Sequence, residues 1–237
     1  MEKENNKLKG AFVERDLSWM YFNHRILQEA EKKDIPVLER MTFLGIYSNN
    51  LDEFFRVRIA SLNRIAQSKD KTLKNDRERA KRTIKDINHL NSCYNKEFEK
   101  AVQEITEELE QKGIRLLHEN QLNDEQKDFI QRFYLEKLNG STNPIWLSQI
   151  KEIGATADDG IFLAIKRMEW IEGKKKPKID YALIAMPDKE IGRFVRLPKS
   201  DEKENIMFLD DVIRYCLPMI FVGSGNCTYE AYSLKFT

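Results

Sequence analysis

The sequence predicts an α+β protein in two parts: an all-α helical bundle over residues 1–113, and an incomplete α+β domain with mainly antiparallel strands over residues 114–237. Three observations support this prediction. The 237 residues are enough for two domains that each bury a core. Apolar residues recur at helical spacing as far as Gly113. Beyond Pro144, runs of strand-forming residues are separated by proline and by lysine-rich segments.

A capping residue and a proline mark the first two helices. Asp16 precedes apolar residues with the spacing of one helix face, so we expect its side chain to cap a helix that ends near Lys33. Pro36 suits the first turn of a second helix, where its missing N–H leaves no hydrogen bond unmade. The apolar face of the first helix consists of Trp19, Phe22, Ile26, Leu27 and Ala30.

A break is predicted at Gly45 and the polar residues 48–50. Asn50 and Glu53 form an N-x-x-E pattern that resembles a capping box, which predicts that a third helix begins at Asn50. Asp52 and Glu53 would then lie in the first turn of that helix, where carboxylates interact favourably with the helix dipole.

One long helix is predicted after the polar linker over residues 68–75, and it ends at Gly113. The second domain starts with a short apolar stretch at 114–117, and Asn123 with Gln126 predicts a capped helix. The remaining predicted elements are strands over 161–171, 179–186, 193–197 and 229–236, and a short helix from Asp210.

Composition and charge exclude several classes of protein. With 41% apolar and 33% charged residues, the chain fits a soluble globular protein better than a disordered or fibrous one. The formal charge is +1, so affinity for a polyanion would have to come from local clusters of charge. No signal peptide and no membrane-spanning stretch is visible, so we expect a cytoplasmic protein and leave peripheral attachment to the inner membrane open.

The cysteines and the common motifs point to no familiar site. Cys93, Cys216 and Cys227 contain no C-x-x-C pair, so we expect reduced thiols, with neither a disulfide framework nor a zinc site. The sequence has no P-loop, G-x-G-x-x-G, H-E-x-x-H or G-x-S-x-G motif. Use of ATP therefore has no support from a general nucleotide-binding motif.

Two long segments are distinctive: RDLSWMYFNHRILQEA at residues 15–30 and PVLERMTFLGIYSNNLDEFFRVRIA at residues 36–60. Together with shorter segments further along, they resemble the first part of the long bacterial polyphosphate kinases, in the same order. The shorter segments are YALIAMP from Tyr181, RFVRLP from Arg193, FLDDVIRYCLPMIF from Phe208 and YEAYSLKFT from Tyr229.

The resemblance implies an enzyme that reversibly transfers the terminal phosphate of ATP to polyphosphate through a phosphohistidine. It also implies a helical N-terminal domain and a middle domain here, while the family's phosphohistidine and magnesium ligands lie in later domains that resemble phospholipase D. We therefore expect no catalytic residue and no metal ligand in this chain, no activity from it alone, and Mg²⁺ bound elsewhere in the full-length enzyme. The chain stops at Thr237 inside a strand-like run, which we interpret as an unfinished domain.

ATP or ADP and inorganic polyphosphate are the partners that the resemblance implies, in an enzyme that is commonly a homo-oligomer; no nucleic acid is expected. The second asparagine of the family's SNN segment contacts the adenine of ATP, and it matches Asn50. An amide offers both a donor and an acceptor to the adenine edge. The residues alone favour a helix cap at Asn50, the resemblance favours the adenine contact, and the two interpretations are compatible.

Other candidates stay open. Residues 69–86 hold eight basic and four acidic side chains, which indicates either a polyanion-binding surface or a solvated helix face. Arg56 and Arg58 either reach phosphates or form local ion pairs, and the lysines at 174–178 fit a solvated loop between strands.

The competing function class is a non-catalytic dimerisation or polyanion-binding module. Without a context that would activate them, the histidines are expected to serve packing or the surface: His24, His89 and His118.

Overall fold

The computed structural model of the chain describes residues 13–149, 160–223 and 225–235. It divides into two compact units, Met1–Leu109 and Glu110–Thr237. The first unit is helical, and the second combines helices with two sheets. The predicted α+β class is confirmed.

The first unit contains two helices in a hairpin, a helix that continues the second of them, and one long helix. The long helix ends two residues before Gly113, whose φ of +86° favours glycine, and this agrees with the predicted glycine stop. The helices are α1 (Arg15–Glu31), α2 (Val37–Phe54), a π-helical turn (Phe55–Ile59), α3 (Ala60–Gln67) and α4 (Lys74–Gln111).

The predicted cap of α1 is wrong by two residues. Glu14 is the N-cap residue, and its carboxylate accepts a hydrogen bond from the backbone N–H of Asp16 at 2.7 Å. Asp16 lies inside the helix, is 3% exposed and binds Arg58. The carboxylate of Asp16 therefore forms a buried ion pair instead of the helix cap that the local pattern predicted.

The predicted break at Gly45 and the helix start at Asn50 are also wrong. The helix α2 runs through both residues, and the π-helical turn joins it directly to α3. Leu44 and Tyr47 are buried on the core side of this segment, and their burial outweighs the helix-interior penalty of one glycine, which is about 1 kcal/mol. Pro36 is the N-cap of α2, one residue before the predicted position.

The second unit begins with a strand and then a helix capped as predicted. Asn123 and Gln126 form a reciprocal capping box. Phe236, part of the last predicted strand, lies outside the described residues. The elements are β1 (Ile114–Leu117), α5 (Asp124–Phe133), a π-helical turn (Tyr134–Leu138), β2 (Ile145–Trp146), β3 (Ile161–Glu169), β4 (Lys178–Ala185), α6 (Asp188–Ile191), β5 (Phe194–Ser200), β6 (Lys203–Phe208), α7 (Leu209–Tyr215), α8 (Leu217–Ile220) and β7 (Cys227–Lys235).

The strands form two sheets, with the orders β1-β6-β5 and β2-β4-β3-β7. The pairings are antiparallel, as predicted, except that β1 and β6 are parallel. The sequence did not predict β6. It follows a tight turn at Asp201 and Glu202, which both have positive φ, rather than the Asn-Gly type of turn that marks a hairpin in a sequence.

The core of the second unit lies between the sheets and the helices α5, α7 and α8, with Leu163, Ile184 and Ile213 fully buried. The three cysteines are free thiols. Across the described residues, no helix combines the length and the apolar character that crossing a bilayer requires.

Candidate nucleotide-contact site

Asn50 lies on the line of contact between α1 and α2, which we call the seam. These two helices are joined by only a few residues and so run antiparallel. The Nδ2 group of Asn50 donates a hydrogen bond to Oδ1 of Asn23 at 3.2 Å. Asn23 is 1% exposed, and its own Nδ2 donates to the backbone carbonyl of Tyr47 at 3.1 Å. The candidate ATP contact is thus held by a buried amide on the neighbouring helix.

This chain of hydrogen bonds fixes which way both amides face. A backbone carbonyl only accepts, so the amide end of Asn23 must face Tyr47 and its carbonyl end must face Asn50. The amide end of Asn50 is then turned toward Asn23, which leaves its Oδ1 directed away. Among the described residues, no donor bonds to this oxygen. Asn50 therefore offers a ligand its Oδ1 as an unused acceptor, beside the second N–H of Nδ2.

An aromatic stack and an ion pair flank the two asparagines on the same seam. The rings of Trp19 and Phe54 stack at 4.1 Å and are nearly parallel, at 5°. One turn further on, Arg58 binds both carboxylate oxygens of Asp16, at 2.8 and 3.0 Å. Arg58 is thereby paired with a carboxylate on α1, and these contacts link the two neighbouring segments beside Asn50.

Tyr47 is buried next to the asparagines but cannot act as a base at neutral pH. Burial, helped by neighbouring Tyr94 and Glu97, raises the pKa of Tyr47 to about 12. Its ring stacks on Phe98 at 5.6 Å. Tyr47 therefore stays protonated and serves packing, and its carbonyl orients Asn23.

The acidic pair after Asn50 does not stand in the first turn of a helix, so that prediction is wrong. Both residues lie at the end of α2, because the helix begins at Val37. Glu53 forms an exposed ion pair with Arg56, three residues later in the chain. Such a pair contributes little to stability, and it gives Arg56 a local carboxylate partner.

None of the three histidines takes part in the hydrogen bonds that join Asn50, Asn23 and Tyr47. His24 stacks on Tyr94 at 3.9 Å, and its Nε2 lies 2.6 Å from a carboxylate oxygen of Glu97. His118 places Nδ1 at 2.9 Å from Asp211 in the second unit. His89 is exposed on α4.

One cluster that the sequence did not reveal contains His118, Glu119 and Asp211, whose potential ligand atoms lie within 4.8 Å of one another. Arg214 is hydrogen-bonded to Asp211, and its guanidinium lies 3.7 Å from Glu119. One arginine therefore pairs with both carboxylates, which fits an ion-pair network better than a cation site. No sequence signal could have found it, because His118 and Asp211 are 93 residues apart.

The two basic segments have different settings. Residues 69–86 contain the end of the linker and the first turns of α4, and most of their basic side chains are exposed. Lys174, Lys175 and Lys176 lie in the connection from β3 to β4, as predicted. Lys178 is the first residue of β4.

Comparison with known proteins agrees with this two-part fold of a helical unit and an α+β unit. Residues 12–117 match the family model described as polyphosphate kinase N-terminal domain, and residues 125–237 match that of the polyphosphate kinase middle domain. The chain therefore belongs to the polyphosphate kinase family.

Individual relatives carry the same name. The polyphosphate kinase of Escherichia coli strain K12 is 35% identical over 230 residues, and that of Vibrio parahaemolyticus is 32% identical over 233 residues. Each match covers 95% of this chain but only 32% of the relative. The crystal structure of the Porphyromonas gingivalis polyphosphate kinase superposes with a TM-score of 0.79 at 29% identity, over 94% of this chain and 32% of that one. The chain thus spans about a third of the length of these relatives.

Proposed function

We propose that this chain serves a polyphosphate kinase that reversibly transfers the terminal phosphate of ATP to polyphosphate through a phosphohistidine. The supporting observation is that both family models match in order, across both units. The phosphohistidine and the Mg²⁺ ligands would belong to the part of the enzyme's length that this chain does not span. Assembly as a homo-oligomer and a cytoplasmic location are parts of the same proposal.

Within this proposal Asn50 contacts the adenine of ATP. Its Oδ1 is turned away from Asn23 and accepts from the exocyclic amine of adenine. Guanine carries a carbonyl oxygen at the corresponding position, so two acceptors would face each other. ATP should therefore bind more tightly than GTP.

Calorimetric titration of the 237-residue chain with ATP and with GTP tests this contact. Asn50→Ala should weaken ATP binding by about 3- to 10-fold, the value of one hydrogen bond, and should remove the preference over GTP. Asn95→Ala is the matched control, because Asn95 is an exposed helical asparagine on α4. Equal ATP affinity in Asn50→Ala and the unmodified chain would refute the assignment.

We also propose that these 237 residues transfer no phosphate by themselves. The structure accounts for each histidine without catalysis: His24 pairs with Glu97, His118 pairs with Asp211 in a network with Arg214, and His89 is an exposed residue on α4. Incubation with ATP labelled at the γ-phosphate should leave the chain unlabelled. Acid-labile labelling of any of these histidines would contradict the proposal.

A further inference from the structure

The helix α4 carries its charges in an order that opposes its own dipole. Residues 74–92 contain six Lys and Arg against three Asp and Glu, while residues 93–111 contain two against six. The N-terminal end of a helix is electropositive and favours acidic side chains, and the C-terminal end favours basic ones. The dipole acts mainly on the first and last turns, so it does not account for this segregation, which calls for another explanation.

Most basic side chains of residues 74–96 lie on one face of α4, opposite the core. At about 100° per residue, five of the seven in this segment fall within an arc of roughly a quarter to a third of the helix circumference. The buried residues Thr83, Ile87 and Tyr94 lie on the other side. We call the five the basic stripe: Lys74, Lys81, Arg82, Lys85 and Lys96, all exposed.

Few carboxylates neutralise the stripe. Lys81 lies 3.5 Å from Glu78, and the Nε of Arg82 donates to the backbone carbonyl of the same glutamate at 3.3 Å. In the described parts of the chain, no carboxylate lies within ion-pair distance of Lys74, Lys85 or Lys96. Most of the positive charge is therefore available to a partner.

The residues between these cations favour one kind of partner. On this face they are Glu78, His89 and Ser92, all exposed, so the stripe has no apolar anchor of the kind that protein interfaces and membrane-binding helices need. Nor does it have a row of aromatic side chains on which bases could stack. A flexible linear polyanion without bases needs only regularly placed cations.

We propose that the basic stripe of α4 binds a linear phosphate polyanion, lying along the helix over roughly 33 Å from Lys74 to Lys96. The identification of the polyanion as inorganic polyphosphate rests on the proposed function; the presence of an anion-binding stripe rests on α4 alone. The stripe would hold the chain of phosphates by counterion release, and it would need no Mg²⁺ and no nucleotide.

The test is fluorescence anisotropy with end-labelled, long-chain inorganic polyphosphate and the 237-residue chain, without ATP, across a series of salt concentrations. Five cation–phosphate contacts predict that log K falls against log salt with a slope of about −3.5, as for single-stranded polyanions. The triple variant K81Q/R82Q/K85Q should reduce the slope by about 2 and weaken binding roughly 10- to 100-fold near 0.1 M salt.

Two further variants separate binding from folding. K174Q/K175Q/K176Q removes three exposed lysines from the loop before β4 and should leave binding nearly unchanged. Glu78→Gln frees Lys81 and should tighten binding by about 2- to 5-fold, a gain that misfolding cannot produce. The stability of the stripe variant to urea should lie within about 0.5 kcal/mol of that of the unmodified chain, because the three side chains are exposed.

Several outcomes would overturn the proposal. Equal losses in the stripe and loop variants would show a nonspecific charge effect, and tighter binding of single-stranded DNA than of polyphosphate would assign the surface to nucleic acid. Self-association that K81Q/R82Q/K85Q abolishes would assign it to a second copy of the chain. Asn50→Ala should leave polyphosphate binding intact, so a failure of ATP binding would count against the proposed function without touching the stripe.

Discussion

Arg40 holds a buried positive charge at the point where three helices of the first unit meet, and its removal should be less damaging than the removal of its partner. The side chain is 1% exposed. Its Nε donates to the carbonyl of Ala30, in the last turn of α1, and its Nη1 donates to Glu108 on α4, each at 2.7 Å. One guanidinium thus satisfies a helix-end carbonyl and pairs with a carboxylate.

Arg40 and Glu108 differ in exposure, and this difference determines how much stability each substitution should cost. Glu108→Ala leaves a charged guanidinium buried without its carboxylate, which should lower the free energy of unfolding by about 3–5 kcal/mol. Arg40→Met leaves the carbonyl of Ala30 without this donor, but the side chain of Glu108 is 30% exposed and can be hydrated. We therefore expect a cost of about 1–3 kcal/mol for Arg40→Met.

Urea unfolding followed by circular dichroism measures these differences in a double-mutant cycle. The double variant R40M/E108A should be more stable than the sum of the two single costs implies, because most of the cost of Glu108→Ala arises only while the buried charge is present. Glu107→Ala, at an exposed neighbour on α4, should change stability by less than about 0.5 kcal/mol. Additive single effects, or a larger cost for Arg40→Met than for Glu108→Ala, would refute the reasoning.

Four further predictions concern single positions. Gly45→Ala should stabilise the chain by about 0.5–1 kcal/mol in urea unfolding, because Gly45 is helical with free space around its Cα, whereas Gly113→Ala should cost about 1–2 kcal/mol, because its φ is +86°. Burial raises the pKa of Cys216 to about 12, so iodoacetamide at about pH 8 should alkylate exposed Cys93 and spare Cys216, as peptide mass mapping would show. Hydrogen bonds from basic neighbours hold the pKa of Glu110 below its ordinary value of 4.5, so its stabilising effect is lost as pH falls through that lowered pKa, and Glu110→Gln should show a shallower acid-induced loss of stability.

Each has a result that would contradict it. A destabilising Gly45→Ala would indicate that α2 is interrupted there, and a neutral Gly113→Ala would mean that the helix end tolerates a side chain. Alkylation of Cys216 at the rate of Cys93 in the folded chain would show that the second core opens readily. Equal acid profiles for Glu110→Gln and the unmodified chain would show that the pairs of Glu110 with Lys203 and Arg115 do not contribute to stability.

The sequence predicted the parts of the fold that depend on neighbouring residues. The long helix and its end before Gly113, the capping box at Asn123 and three strands of the second sheet were all visible locally. The hairpin to β6 was not, because a turn at Asp201 and Glu202 lacks the usual sequence signal. Parallel pairing of β1 with β6 joins segments about ninety residues apart, beyond the reach of any local pattern.

The sequence by itself determined the family, the helical and α+β parts, and Asn50 as the candidate contact. Only the tertiary structure decided how Asn50 is held, since its partner Asn23 is 27 residues away on another helix. Asp16 and Asn50 both look like helix caps in the sequence, yet each side chain binds a partner on a neighbouring helical segment. Local patterns describe what a side chain can do for its own backbone, whereas burial decides which hydrogen bond is made, because a buried polar group must be satisfied by whatever lies beside it.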